Sequence, residues 1–164
     1  MHPIHDADVL LLMAVALASK RGPANLVEIM AATHLLHGSI PLDVDVAAAF
    51  LRLSTQGLIA DEAGGYTLTP QGLDLMGGVR NKRKAETEER LLAIREQLAD
   101  YRATAEGLPI RLATESVGAA IQAHRAFLRG PGRNMLVPRP KAATDKPKHA
   151  GQWRRLDGGS RAKR

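Results

Sequence analysis

The chain has 164 residues, 45% of them apolar but only five aromatic, which suits one domain, or a small domain with appendages, cored by Leu, Val, Ile, Ala and Met. It has no cysteine, which excludes disulfides, thiolate metal sites and a cysteine nucleophile and fits a reducing cytoplasm. The net charge of +6 is unevenly placed: residues 129–164 hold eleven Lys/Arg and two Asp, whereas residues 1–78 hold three basic and eight acidic residues.

The first helix is expected to start at Asp6 or Asp8, either of which can cap it, and to run to about Lys20, where Gly22-Pro23 stops it. Its apolar residues cover nearly the whole circumference, which predicts a central position. The Val9–Ala18 run is too short to span a bilayer and has no basic flank, so it reads as a buried helix, not a signal peptide or anchor. No membrane partner is expected. A second helix follows Asn25, with Glu28 completing a capping box. Leu26, Ile29, Met30, Thr33 and Leu36 share its inner face. The turn His37–Pro41 leads into the third helix.

That third helix ends in Arg52-Leu53-Ser54-Thr55-Gln56-Gly57, where Gly57 suits the left-handed residue that closes a helix. Leu58-Ile59-Ala60 continues as a strand. Gly64-Gly65 is the hairpin turn signal, and Tyr66-Thr67-Leu68 is the returning strand. Thr69 can cap a fourth helix whose first residue is Pro70. That helix is expected to reach Met76 and to be broken or loosened at Gly77-Gly78; Gly72 is read with them as punctuation. Arg80-Asn81-Lys82-Arg83-Lys84 is a basic cluster. A long helix is predicted from about Lys84 to Thr104, with Leu91, Ile94, Leu98 and Tyr101 as one stripe. The stripe packs either on its own domain or across a homodimer axis. Gly107-Leu108-Pro109 ends this element. A last helix, Thr114 to Leu128, places Val117, Ile121, His124 and Leu128 on one face. Beyond Arg129, Pro and Gly are scattered among Lys and Arg, a composition that predicts disorder.

The order helix, hairpin, helix, with "RLSTQGLI" followed by "GGYTLTPQG", resembles the winged helix-turn-helix superfamily, in particular bacterial regulators of the MarR and PadR type. The resemblance covers roughly residues 6 to 79. It implies a DNA-binding regulator of transcription. The expected fold is mainly α with one small antiparallel β-hairpin. The expected organisation is a winged-helix domain (1–79), a helical extension (80–130) and a basic tail (131–164).

The residues themselves argue less for sequence reading. In a winged-helix DNA binder the third helix enters the major groove and polar side chains read base edges. With Val46, Ala49, Phe50 and Leu53 inward, the outward set is Val44, Asp45, Ala48, Arg52 and Thr55. Only Arg52, Thr55 and Gln56 can donate to DNA there. Asp43, Asp45 and the hairpin tip Asp61-Glu62 would repel phosphate. Arg80, Lys82, Arg83 and Lys84, with Arg154 and Arg155 beside the stacking-competent Trp153, can neutralise phosphates without reading sequence. Two functions follow as expectations: a cytoplasmic DNA-associated regulator that binds mostly non-specifically through its tail, or an adaptor that holds a protein partner. A structural accessory protein is a third class. Among the histidines, His34 and His37 stand three apart with no third ligand, so no metal is expected; His124 reads as part of a packed face. No phosphate loop, Gly-x-Ser-x-Gly, His-Glu-x-x-His or paired-carboxylate motif appears, so neither an enzyme nor a cofactor is expected.

Overall fold

The computed structural model describes residues 3–80, 86–104 and 106–130. Within them the helices are α1 (Asp6–Ala18), α2 (Leu26–His37), α3 (Asp43–Thr55), α4 (Pro70–Arg80), α5 (Thr87–Asp100) and α6 (Thr114–Arg129). The strands β1 (Ile59–Glu62) and β2 (Gly65–Leu68) form one antiparallel hairpin. The architecture is therefore mainly helical with one hairpin. None of the described helices is long and apolar enough to cross a membrane.

α1 is the hub. Asp8 to Val15 are buried without a break, which explains why apolar residues circle the helix instead of forming one stripe. It packs against α2, α3 and α5, and touches β2. The helix starts at Asp6 as expected, but neither Asp6 nor Asp8 holds the N-cap position. His5 holds the cap position, and its backbone N–H donates to Asp8 Oδ2 at 3.2 Å. Asp8 lies inside the first turn, and its carboxylate also accepts from Arg52 of α3. At α2 the capping box forms as expected: Glu28 N–H donates to Asn25 Oδ1 and Asn25 N–H to Glu28 Oε2, both at 2.9 Å.

α3 turns Val46, Ala49, Phe50 and Leu53 inward, as its period requires. Phe50 is fully buried and meets Tyr66 of β2 edge to face, with ring centroids 5.0 Å apart. This contact fixes the hairpin against the helices. Ala24, between α1 and α2, exchanges both backbone hydrogen bonds with Tyr66, at 2.8 and 2.9 Å, and so extends the hairpin by one bridge.

The hairpin turn differs from the Gly64-Gly65 expectation. Its central residues are Ala63 and Gly64, with φ of 51° and 79°, and Gly65 already pairs with Glu62. Gly65 serves a different purpose: a Cβ there would stand 2.9 Å from Pro23 Cβ, so only glycine lets β2 approach the Pro23–Ala24 segment. The expected break at Gly77-Gly78 also fails. α4 runs through Gly72, Gly77 and Gly78 to Arg80, because Leu75 and Val79 are buried and hold both halves of the helix on the core.

α5 packs on α4 and α1, with Ile94 and Leu98 buried and Leu91 and Tyr101 at the core edge. The stripe is thus satisfied within its own chain. α5 stops at Asp100 rather than near Thr104, since Tyr101 turns extended and swings its ring toward α3. α6 packs on α2 and α3 and buries Val117, Ala120, Ile121 and His124. Leu128, expected on that face, is 55% exposed; burial ends one turn earlier. Ile94, Leu98, Val117 and Ile121 belong to the same buried cluster as the residues of α1 to α3, so the segments 6–79 and 86–130 share one core. The tail expected to be disordered lies outside the described residues.

Candidate functional site

The C-terminal end of α3 gathers more polar contacts than any other part of the described chain. A helix leaves its last four carbonyls without intrahelical partners. Here each is accounted for. Leu51 C=O accepts from Ser54 Oγ (3.0 Å) and Thr55 Oγ1 (2.7 Å), and Arg52 C=O from Gln56 N (3.0 Å). Gly57, at φ 72°, lets the chain reverse, so Leu58 N reaches Leu53 C=O and Gly57 N reaches Ser54 C=O, both at 2.9 Å. The remaining acceptors are met from remote segments. Thr55 C=O accepts from Gly107 N (3.1 Å) and Gln56 C=O from the Tyr101 hydroxyl (3.1 Å). The Thr69 hydroxyl donates to Gly57 C=O and accepts from Gly72 N (3.1 Å), so it caps α4 while tying it to α3. Ser54 Oγ also accepts from Ile110 N at 2.8 Å. Burial raises the Tyr101 phenol above its ordinary pKa.

Beside this knot sits an ion pair. Arg52 Nε and Nη2 both reach the Asp8 carboxylate, at 2.6 to 3.0 Å. The Asp8 side chain is 8% exposed and that of Arg52 is 29% exposed. The two-point geometry suits a planar guanidinium and fixes its plane. The pair borders a cleft of about 750 Å³, also lined by Ile4, Leu53, Gln56, Leu98 and Tyr101. That volume is in the range of small-molecule sites, and two of its polar lining side chains, Arg52 and Asp8, are already paired with each other.

The residues singled out for DNA contact are dispersed. Arg52 is engaged with Asp8. Thr55 is exposed, with its hydroxyl turned back to Leu51 C=O. Gln56 is half-buried beside the cleft. Arg80 closes α4. Lys82, Arg83, Lys84, Arg154 and Arg155 lie outside the described residues. The rest of the outward face of α3 is apolar or acidic: Val44 is 53% exposed, Asp45 is exposed, and Ala47 and Ala48 are half-buried. Leu42, just before the helix, is 67% exposed and Leu35 on α2 is 78% exposed. Asp61 and Glu62 at the hairpin tip are exposed as well.

Reasoning from sequence did not find Asp8 or the pairing of His34 with His124. Asp8 carried a signal, a carboxylate heading the apolar run Val9–Ala18, but a first-turn acid reads as a cap. His124 Nε2 lies 3.2 Å from His34 Nδ1, which joins α6 to α2 across ninety residues of sequence. Among the described residues no group of three or more His, Asp or Glu side chains is placed to hold a metal ion. Comparison with protein-family models, curated proteins and solved structures returned no match for this chain.

Proposed function

We propose that this chain is a protein-interaction module on a winged-helix scaffold and that its α3 is not a reader of DNA sequence. Three helices followed by a hairpin and a fourth helix support the scaffold. The observation that carries the functional reading is the Arg52–Asp8 pair. Arg52 is the strongest base-edge donor on α3, and a guanidinium reads guanine through the same fork that here grips Asp8. The exposed apolar residues Leu35, Leu42 and Val44, with Asp45 at their edge, suit a partner surface instead. A cysteine-free composition fits a cytoplasmic setting.

A second reading rests on charge. The eleven Lys/Arg after Leu128 favour nucleic acid as a polyanion, whatever its sequence. Competition binding of the intact chain on a randomised duplex pool, repeated across a salt series, separates the readings. Binding without motif enrichment that collapses steeply with salt supports charge-driven association alone. Enrichment of a defined motif would overturn the proposal and restore a sequence-reading regulator. No duplex binding at moderate salt leaves the interaction module by itself.

A further inference from the structure

Among the described residues, the seam between α6 and α2 holds one side-chain hydrogen bond, His124 Nε2 to His34 Nδ1 at 3.2 Å. The rings meet edge to face, with centroids 5.3 Å apart at 71°. His124 is 5% exposed and His34 is half-buried. α6 buries Val117, Ala120 and Ile121 beside His124; α2 buries Ile29, Met30, Ala32 and Thr33, whose hydroxyl donates to Ile29 C=O at 2.8 Å.

We propose that the His34–His124 pair is a proton-operated latch: it holds the second half of α6 on α2 while at least one imidazole is neutral, and releases it when both are protonated. A neutral imidazole has one N–H and one lone pair. In the neutral pair, one facing nitrogen donates and the other accepts. One added proton is tolerated, since it goes to the donor ring's far nitrogen and leaves the acceptor in place. A second gives both facing nitrogens an N–H. Two donors and two positive charges then oppose each other at the contact distance, in a seam with few other polar groups.

Among the described residues no ion pair is placed to offset that second charge. The other titratable groups on α2 are Glu28 and His37; on α3 they are Asp43, Asp45 and Arg52; on α6 they are Glu115, Arg125 and Arg129. Among the described residues none of these hydrogen-bonds to or ion-pairs with either ring, and Arg52 is held by Asp8. Asp43 lies beside Gly118 of α6, with Oδ2 3.7 Å from the place of a Cβ there. That is about 9 Å along the helix from His124. Burial, and after it the neighbouring His34, lowers the His124 pKa from its ordinary 6.5. A base depressed in the closed state takes up its proton on opening. The closed seam is therefore fully stable above the ordinary value and weakens as pH falls through the depressed one.

The test is amide exchange of the full chain, corrected for intrinsic rates, at about pH 7.5 and about pH 5.5. Protection in α6 peptides should fall by up to about tenfold per pH unit, the limit set by uptake of one proton, while α1 peptides hold theirs. His124→Gln places an amide at the Nε2 position, and His34→Asn places one at the Nδ1 position. In His124→Gln the amide oxygen can accept from a protonated His34, so the fall in α6 protection should vanish; in His34→Asn the like charge is gone and only the burial of His124 remains, so the fall should shrink. Unchanged protection of α6 in the natural chain would overturn the latch. So would a fall as steep as the natural chain's in both variants. Should His124→Gln fail to fold, His34→Asn at the half-buried position decides alone.

Discussion

The two ends of α3 are held in opposite ways. At the C-terminal end, Arg52 to Gly57 are tied by hydrogen bonds or an ion pair to Asp8 of α1, Thr69 ahead of α4, Tyr101 after α5 and the Gly107–Ile110 segment. At the N-terminal end, Val46 and Ala49 anchor by packing alone, Leu42 holds the cap position with no side-chain bond, and Leu42 and Val44 stand out in solvent. Directional bonds fix position and plane; apolar packing fixes depth but leaves the outer face uncommitted. The comparison teaches where a partner can be met. The polar groups of α3 serve the fold at one end, and its free surface lies at the other.

The largest effect expected from disturbing the tied end comes from Leu98→Asp. Leu98 is 8% exposed and lines the cleft together with Tyr101, whose hydroxyl donates to Gln56 C=O. An unpaired carboxylate there should cost on the order of 4 kcal/mol. Urea denaturation reads this directly. A midpoint within error of the natural chain would show that α5 is not a working wall of the core.

Next comes the ion pair, and its two halves should differ. Arg52→Ala leaves the nearly buried Asp8 carboxylate without a counter-charge, at a cost of about 3 kcal/mol. Asp8→Ala leaves a guanidinium that is 29% exposed and can turn to water, so the loss should be nearer about 1–2 kcal/mol. Equal losses, or a larger one for Asp8→Ala, would contradict the burial asymmetry on which this rests.

Gly107→Ala should follow. A Cβ at residue 107 would stand 2.1 Å from Ser54 O and 2.8 Å from Gly57 Cα, both backbone atoms that cannot swing aside. The segment must lift and lose the Gly107 N–H to Thr55 C=O bond, for about 1–3 kcal/mol. Limited proteolysis should show faster cutting near residues 102–113, with the helices otherwise intact. Unchanged cutting would mean that the segment is not seated as described.

This contrast also marks what was legible in the sequence. Local rules carried far: the Asn25–Glu28 box, the Gly57 reversal, the Thr69-Pro70 start and the inward set of α3 each depend on neighbours within a few residues. Long-range polar pairing did not. Whether Arg52 faces DNA or Asp8 depends on how α1 lies against α3, forty-four residues away in sequence, and helical period says only that Arg52 points off the core face. The glycines failed for the same reason. Gly65 and Gly107 answer to backbones that approach from elsewhere, and Gly77-Gly78 sits in a helix held by Leu75 and Val79. Helix propensity is a weak prior that such packing overrides.

The smallest effect is expected at the open end of α3, and that smallness is the point. Val44 is the second residue of α3 and 53% exposed; its backbone N–H is met by Asp43 Oδ1 at 2.8 Å, whatever side chain it carries. Val44→Ser removes two methyl groups that are already half in water and keeps this backbone bond. Stability should therefore shift by no more than about 0.5 kcal/mol, as for surface positions in general. The same holds for Leu42→Ser, at 67% exposure. If this end is where a partner docks, the paired substitutions should weaken partner crosslinking while leaving the denaturation midpoint in place. A midpoint shift as large as that of Gly107→Ala would show that the open end is packed after all, and the difference between the two ends of α3 would no longer stand.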